Sequence, residues 1–240
     1  MIRKPIRDKW RSYGIMKGSA NLVPYLPDTK VLEKTSFWSM INRYIKVILK
    51  PRVGKSGYGV MQVSKIKNDR FEIYSEKIRK TFHGRDQIYR YITRKIGSRA
   101  YIIQQRIPLA TVDKTPFDIR VMVQRQNYKA PWEVTGKFAK IAQKGYFVTN
   151  AARGIVLVET AMKRSSLKKT PKVSKINSIA KLVAKKLDNF YKIRTLGVDI
   201  GIDKKGNIGV IEANFYPSVS PFLRLSDKSM YRKIMLFKKR

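Results

Sequence analysis

Three oxygen-bearing side chains near the end of the sequence have the spacing of a metal-binding site. Asp199 lies within one apolar run, and Glu212 and Asn214 lie at the end of the next. The turn-forming segment 202–207 joins the two runs and predicts a β-hairpin. Residues two apart on a strand point to the same face, so Glu212 and Asn214 point together and the hairpin can bring Asp199 opposite them. Such oxygen ligands suit a hard cation such as magnesium, which also binds substrate phosphates.

A purely structural hairpin with solvated polar side chains is the alternative for this segment. The residues around Asp199 and Glu212 are apolar, however, and their pattern is typical of buried strands. A charge is costly in a buried position without a partner. This cost favours the metal site over the solvated hairpin.

A glycine-rich segment, 54–59, lies between two predicted strands in the first half of the chain. The β-branched residues of 45–50 predict one strand, and 60–63 resumes a second. Glycine lets backbone amides approach phosphate oxygens closely, and Lys50 adds a positive charge beside them. The segment therefore predicts a hairpin that covers phosphates, with a plain β-hairpin as the alternative. It is not a P-loop, because a strand and not a helix follows it.

Composition excludes several classes of protein. The chain has 240 residues, of which 43% are hydrophobic, enough for one large domain or two small lobes. It has no cysteine and a single histidine, His83, in a polar stretch that predicts a surface position, so disulfide frameworks and His-dependent triads are not expected. No signal peptide and no membrane-spanning apolar run is visible. We therefore expect a cytoplasmic location.

The formal net charge is +37, from 53 lysines and arginines against 16 acids spread along the whole chain. Such a field attracts polyanions. It favours an acidic peptide or another polyanionic substrate as a partner, although a lysine-rich composition without any partner would give the same charge. Nucleic acid is not favoured, because the sequence has no RNA-recognition or helix-turn-helix signature.

The elements that position these segments are predicted from apolar periodicity and capping residues. Helices are predicted at 36–44, at 85–96, and from a cap at Ser174 to about residue 191. Further strands are predicted at 69–75, 100–105, 117–124, 132–142 and 146–149.

Together these segments resemble the ATP-grasp superfamily, and within it the endospore coat-associated (YheC/YheD-like) family. The resemblance extends from Asp8 to about Pro217, and the order and spacing of its short motifs are fairly specific. The motifs are Asp8-Lys9-Trp10, Leu26-Pro27-Asp28-Thr29, Lys50-Pro51-Arg52-x-Gly54-x-x-Gly57-x-Gly59, Ile103-Gln104-Gln105, Phe117-Asp118-Ile119-Arg120, Val134-Thr135-Gly136, Asn150-x-x-Arg153-Gly154 and Asp199…Glu212-x-Asn214-x-x-Pro217. Ribosomal-protein glutamate ligases and glutathione synthetases are more distantly similar.

The resemblance implies an α+β, ATP-grasp fold in which two α+β lobes hold the nucleotide between them. It implies one ATP-grasp domain over 1–240, with a leading segment (1–35), an N-terminal lobe carrying the glycine-rich flap (36–106) and a metal- and substrate-binding lobe (107–240). The implied activity is an ATP- and magnesium-dependent carboxylate–amine ligase that forms an acyl phosphate. A non-catalytic nucleotide-binding or spore-coat component is the alternative, and the family also implies an association with spores.

The resemblance also implies roles for individual residues. The implied magnesium ligands are Asp199, Glu212 and Asn214. Residues implied at ATP are Lys9 and Lys50 at the phosphates, Gly54, Ser56, Gly57 and Gly59 in the flap, Gln104, Gln105 and Ile107 at the hinge beside adenine, and Asp118. The implied catalytic set is Arg120, Lys140 and Arg153. Of these, Arg120 and Arg153, together with Asn150, would face the acyl substrate or the transferred phosphoryl group. The pair Asp118 and Arg120 could alternatively be a structural cross-strand ion pair.

Three departures from the family pattern bear on catalysis more than on ATP binding. Relatives often carry arginine at the position of Lys140, and lysine lacks the bidentate fork. The family's Gly-Gly pair is Gly154-Ile155 here. The match begins at Asp8, so we do not expect the N-terminal domain that usually precedes the ATP-grasp region. Apart from these three, Gln105 at the implied adenine hinge stands where relatives often have glutamate.

Overall fold

The structure, a computed structural model, describes residues 8–54, 57–67, 69–146 and 152–239. Its helices are α1 (Lys9–Lys17), α2 (Lys34–Tyr44), α3 (Arg85–Ile96), α4 (Val158–Lys163), α5 (Val173–Asp188) and α6 (Ser229–Lys239), with short 3-10 helices at Val23–Tyr25 and Ser220–Arg224. Its strands are β1 (Thr29–Val31), β2 (Lys46–Pro51), β3 (Met61–Lys65), β4 (Arg70–Ser75), β5 (Ile78–His83), β6 (Tyr101–Gln105), β7 (Thr111–Val112), β8 (Thr115–Gln124), β9 (Glu133–Ala142), β10 (Ala152–Val156), β11 (Thr195–Ile202) and β12 (Ile208–Asn214).

The first sheet has the strand order β1-β6-β2-β3-β4-β5, and all its neighbouring strands are antiparallel. Helices α2 and α3 cover one of its faces. The apolar stripe of α3, Ile88 and Ile92, is fully buried there beside Val47 and Leu49 of β2. The alternate residues of β2 therefore point to the opposite face. That face lines a cavity between the two sheets.

The second sheet has the order β10-β9-β8-β11-β12, with β7 paired to β8. Helix α5 packs on one face, because its stripe of Ile176, Ile179 and Val183 is buried in the same core as Val121 and Val198 of the sheet. The other face of this sheet lines the same cavity between the two sheets. The structure is thus an α+β fold with two antiparallel sheets, as the sequence predicts.

The N-terminal segment contributes to both sheets. Helix α1 lies against α5, and its residue Met16 is buried in the core of the second sheet. Strand β1 pairs with β6 at the edge of the first sheet. Asp8 caps α1 by accepting hydrogen bonds from the backbone amides of Trp10 and Arg11. The same carboxylate forms an ion pair with Arg52, which joins the helix to the end of β2.

Two features of the structure differ from the sequence-based prediction. Helix α5 begins at Val173 with Lys172 at the N-cap, so the prediction of Ser174 as the cap is wrong. Strand β5 was not predicted, because five of its six residues are exposed and the strand lacks a buried face. His83, at its end, is exposed as predicted. The predicted strand 146–149 extends beyond the described residues.

Across the described part of the chain, the helices are too short or too polar to cross a lipid bilayer.

Candidate functional site

A cavity of about 530 Å³ lies between the two sheets. Apolar side chains form part of its wall, among them Ile48 and Ile102 of the first sheet and Ile107 and Leu109 of the connection between the sheets. Among the described residues, the basic side chains that line it are Lys9, Lys50, Arg106, Arg120 and Lys140. The carboxylates of Asp8, Asp118, Asp199 and Glu212 also line it, so the cavity combines an apolar surface with closely spaced charges of both signs.

The polar residues of the second sheet converge because they occupy alternate positions on four neighbouring strands. Lys140 of β9 lies opposite Asp118 of β8, and Arg120 of β8 lies opposite Asp199 of β11. Asp199 in turn lies opposite Glu212 of β12. All five side chains therefore project from the same face of the sheet, towards the cavity.

A β-bulge in the last hairpin places Glu212 on this face. The pairing runs from Ile200 with Val210 directly to Asp199 with Glu212, so Ile211 is the extra residue. In a regular hairpin Glu212 would lie opposite Val198, on the face that packs against α5. Without the bulge, Glu212 would be buried against α5. With the bulge, its side chain points into the cavity.

Asp199 is 5% exposed and accepts four hydrogen bonds. Arg120 donates from Nε to Oδ1 at 2.6 Å and from Nη2 to Oδ2 at 2.8 Å. Lys140 Nζ donates to Oδ1 at 3.2 Å, and Asn214 Nδ2 donates to Oδ2 at 3.1 Å. Burial alone would raise the pKa of Asp199, but the charges and hydrogen bonds of Arg120 and Lys140 lower it well below its usual range.

Lys140 links two buried carboxylates. Its Nζ lies 3.2 Å from Oδ1 of Asp118 and 3.2 Å from Oδ1 of Asp199. Burial opposes the charged form of Lys140, yet the two carboxylates outweigh it and raise the pKa. Asp118 and Arg120, two residues apart on β8, thus each form an ion pair across strands, with Lys140 of β9 and with Asp199 of β11.

Lys50 reaches the cavity from the first sheet. Its Nζ donates to Oε1 of Gln104 at 2.6 Å, and Gln104 Nε2 donates to Thr29 Oγ1 at 2.9 Å. Burial lowers the pKa of Lys50 to about 8, although the negative charge of Glu212 partly offsets this effect. Gln104 thus has a buried side chain that orients Lys50, in addition to its position beside the connection.

Lys9, at the start of α1, lies between the flap and the last strand. Its Nζ donates to the carbonyl of Gly54 at 3.2 Å and lies 3.7 Å from Oε1 of Glu212. Gly59 does not line the cavity, and a Cβ there would lie 2.7 Å from Oη of Tyr101. Because its φ of +76° also disfavours other residues, Gly59 is explained by this turn and this contact.

Most residues assigned by resemblance lie around this one cavity. Those that line it are Lys9, Lys50, Gly54, Gly57, Gln104, Gln105, Ile107, Asp118, Arg120, Lys140, Asp199, Glu212 and Asn214. Ser56, Asn150 and the side chain of Arg153 lie outside the described residues.

Several lining residues were not identified from sequence. Ser12, Tyr13 and Met16 of α1 line the cavity, as does Arg106. The signal for Arg106 was present, because Ile102, Gln104 and Arg106 occupy alternate positions that point to one face. The role of α1 could not be read in this way, since it depends on how the helix docks.

Glu212 and Asn214 carry oxygens of the type that magnesium prefers. Within the described residues no three side chains of Asp, Glu, His or Cys converge, so a metal site here would need the amide oxygen of Asn214. Asn214 uses its Nδ2 towards Asp199, which leaves Oδ1 without a described donor. Asp199 already accepts four hydrogen bonds, so it would have to exchange one of them to bind a metal.

We predict that Asp199→Asn destabilises the protein far more than Glu212→Gln. Removing the charge of Asp199 leaves Arg120 and Lys140 buried without their shared carboxylate, which costs about 3–5 kcal/mol. Glu212 is partly exposed and its contact with Lys9 is long, so its loss should cost about 1 kcal/mol or less. Urea unfolding followed by tryptophan fluorescence gives both values, and equal losses would contradict this account of Asp199.

Comparison with known proteins places this geometry in a known fold. The structure is similar to N5-carboxyaminoimidazole synthetase from Staphylococcus aureus in complex with ADP, with a TM-score of 0.57 and 12% identity over 88% of this chain and 45% of that chain. It is also similar to the ATP-grasp ligase PsnB in complex with a phosphomimetic variant of its minimal precursor, Mg and ADP (TM-score 0.56, 13% identity, 97% of this chain and 58% of that chain). At these identities the likeness shows a shared ATP-grasp fold.

The sequence comparison gives a more specific result. The chain is 25% identical over 235 residues to the endospore coat-associated protein YheC of Bacillus subtilis (strain 168), which covers 95% of this chain and 64% of YheC. It thus spans less than two thirds of that relative. A family model described as YheC/D like ATP-grasp matches residues 1–237. The two sheets, the cavity between them and this match together show that the chain belongs to the YheC/D-like ATP-grasp family.

Proposed function

We propose that the protein is a magnesium-dependent ligase that uses ATP to join a carboxylate to an amine. The observation that carries this proposal is that residues of both sheets line one cavity. Lys50 enters it from the first sheet, and Glu212 and Asn214 enter it from the second. A cation that could bind phosphates thus shares the cavity with oxygens that could bind a metal. The cavity volume of about 530 Å³ is within the usual range for small-molecule sites.

The apolar part of the cavity suits a purine ring. Ile107 lies directly over two glycines of the last hairpin, since a Cβ on Gly209 would lie 2.6 Å from Ile107 Cδ1 and one on Gly201 would lie 3.5 Å from Ile107 Cγ2. Ile48 and Ile102 line the cavity from the first sheet. The adenine of ATP would lie among these side chains, beside the backbone of the connection between the lobes.

Lys9 and Lys50 would hold the phosphates, because both line the cavity near Glu212. A magnesium ion held by Glu212 and Asn214, with Asp199 after exchange of a donor, would neutralise phosphate charge as the phosphoryl group moves. The chain's own contribution is to orient the phosphates between the two lobes and to surround them with fixed positive charge.

In the proposed reaction, a substrate carboxylate oxygen forms a bond to the γ-phosphorus as the bond to ADP breaks. An amine then attacks the carbonyl carbon of the acyl phosphate, inorganic phosphate leaves, and the amine loses a proton. Arg120 uses Nε and Nη2 on Asp199, which leaves Nη1 as a donor for the transferred group or the carboxylate. No enzyme nucleophile is required, in agreement with a chain that lacks cysteine.

A non-catalytic nucleotide-binding component of the spore coat is the second candidate. It is supported by the similarity to YheC, an endospore coat-associated protein, and by Lys140, a single point charge where the family resemblance implies arginine. We propose spore association under either function. The two candidates differ in turnover and not in nucleotide binding.

Release of ADP distinguishes the two candidates. The protein would be incubated with magnesium and ATP alone, and then with a panel of amines and carboxylic acids that includes polyglutamate, because the net charge favours an acidic substrate. We expect ADP release that requires one of the acids. Tight ATP binding with no ADP release across the panel would overturn the ligase proposal in favour of the coat component.

We predict that Glu212→Gln weakens binding of magnesium-ATP by about tenfold or more, equivalent to about 1.4 kcal/mol. The substitution removes a carboxylate ligand and leaves the shape of the side chain unchanged. Titration calorimetry would measure the affinity. Glu159→Gln, an exposed residue of α4 outside the cavity, is the matched control and should have no effect. Equal affinity in wild type and Glu212→Gln would contradict the metal assignment.

We also predict that ATP affinity falls as the pH rises above the pKa of Lys50. Below about pH 8 the ammonium is charged and binds phosphate; above it, binding requires uptake of a proton. Between about pH 7.5 and about pH 9.5 the affinity should therefore fall by about tenfold or more. Lys50→Met should bind more weakly at the lower pH and lose most of this dependence.

Lys46→Met is the matched control for the pH series, since Lys46 lies at the exposed start of the same strand. It should retain both the affinity and the pH dependence of the wild type. A Lys50→Met variant with the wild-type slope would show that another group causes the dependence.

A further inference from the structure

A second concave surface lies at the tip of the β11–β12 hairpin. It is a groove of about 470 Å³ between the hairpin turn, the 3-10 helix Val23–Tyr25 and the segment that leads into α5. Tyr25, Pro24, Pro171 and Ile208 contribute its apolar walls. None of the residues that line it lines the cavity between the sheets, so this lysine groove is a separate feature of the surface.

Three exposed lysines, Lys169, Lys172 and Lys175, line the groove. In the described part of the chain they form no ion pair, unlike neighbouring Arg164, which pairs with Asp113. Residues 163–187 contain nine lysines and arginines and no acidic residue. The groove thus holds uncompensated positive charge at one place, within a chain whose basic residues are otherwise dispersed.

The walls of the groove are held together by backbone contacts. The amide of Lys168 donates to the carbonyl of Lys204 at 2.8 Å, which joins the basic segment to the hairpin turn. Gly206 packs so closely on Lys169 that a Cβ would lie 2.3 Å from its carbonyl oxygen. The positions of the lysine backbones are therefore set by the fold.

The hairpin turn carries one carboxylate, and groups of the same turn already donate hydrogen bonds to it. Asp203 accepts hydrogen bonds from the backbone amides of Lys205 and Asn207 at 2.8 and 2.9 Å, and from Asn207 Nδ2 at 2.8 Å. The adjacent Lys204 and Lys205 are exposed and extend the positive surface beyond the groove.

The chemistry of the groove favours carboxylates on a polypeptide over nucleic acid. All its cations are lysines, which attract carboxylates and phosphates alike, so the choice between the two depends on the other walls of the groove. Its aromatic ring, Tyr25, is covered by Lys175, with Nζ 5.3 Å from the ring centroid, so the ring is not open for base stacking. The proline-lined walls suit the apolar parts of an extended peptide.

From this charge complementarity we infer that the lysine groove is a docking site for an acidic segment of a partner protein, rich in Asp or Glu. The site is independent of the proposed reaction, because its residues do not touch the nucleotide cavity. It would bring an acidic partner to the tip of the hairpin whose other end carries Asp199 and Glu212.

The test compares two triple charge reversals by binding of a fluorescein-labelled oligoglutamate, followed by anisotropy at low and at moderate salt. Lys169→Glu, Lys172→Glu and Lys175→Glu together should weaken binding by about tenfold or more at low salt. Lys67→Glu, Lys95→Glu and Lys129→Glu make the same change in net charge at exposed positions outside both cavities, and should weaken binding by about twofold at most.

Both variants should keep the wild-type affinity for magnesium-ATP, which separates this test from that of the proposed ligase. A Lys→Ala version of the groove triple should give an intermediate loss and confirms the site should the charge reversal impair folding, which thermal unfolding would reveal. Equal losses in the groove and control variants would overturn the inference and indicate a general field. Tighter binding of a single-stranded RNA of equal length, lost in the groove variant, would also overturn it in favour of nucleic acid.

Discussion

Asp199 is buried in the middle of a sheet, where its charge is stable because Arg120 and Lys140 converge on it from neighbouring strands. A buried carboxylate without such partners would be protonated or would destabilise the fold. The pairing places two cations and two carboxylates in a rigid array on one sheet face. A metal could bind Asp199 only if one of its hydrogen-bond donors moved away. Arg120 or Lys140 could do so by pairing with a transferred phosphoryl group in place of Asp199.

The positions of these charged side chains also depend on the space around them. Gly197 faces Arg120, and a Cβ there would lie 3.2 Å from Arg120 Cδ and 2.7 Å from Pro217 Cβ. Any larger residue would force Pro217 or the strand to shift next to Arg120. The bulge at Ile211 acts on the adjacent strand, where it directs Glu212 to the same face. Small local features of the hairpin thus determine which charges can meet.

Part of this site follows from sequence, since turn residues predict the final hairpin and strand alternation places Glu212 and Asn214 on one face. That this is also the face of Asp199 depends on the bulge. The helix 85–96 follows equally well from its apolar stripe. The bulge could not be predicted, because a register shift depends on which strands pair. The contacts of Lys50 with Gln104 and of Lys140 with Asp118 join residues far apart in sequence, and local periodicity contains no information about them. The start of α5 was missed because Ser174 is a favourable cap by type, whereas the chain enters the helix two residues earlier.

The most direct measurement is a crystal structure of the protein with magnesium and a non-hydrolysable ATP analogue. We expect adenine beside Ile107, phosphates in contact with Lys50, and a magnesium ion bound by oxygens of Glu212 and Asn214. An analogue bound outside the cavity between the sheets, or a magnesium ion bound by phosphates alone with Glu212 still paired to Lys9, would contradict this expectation.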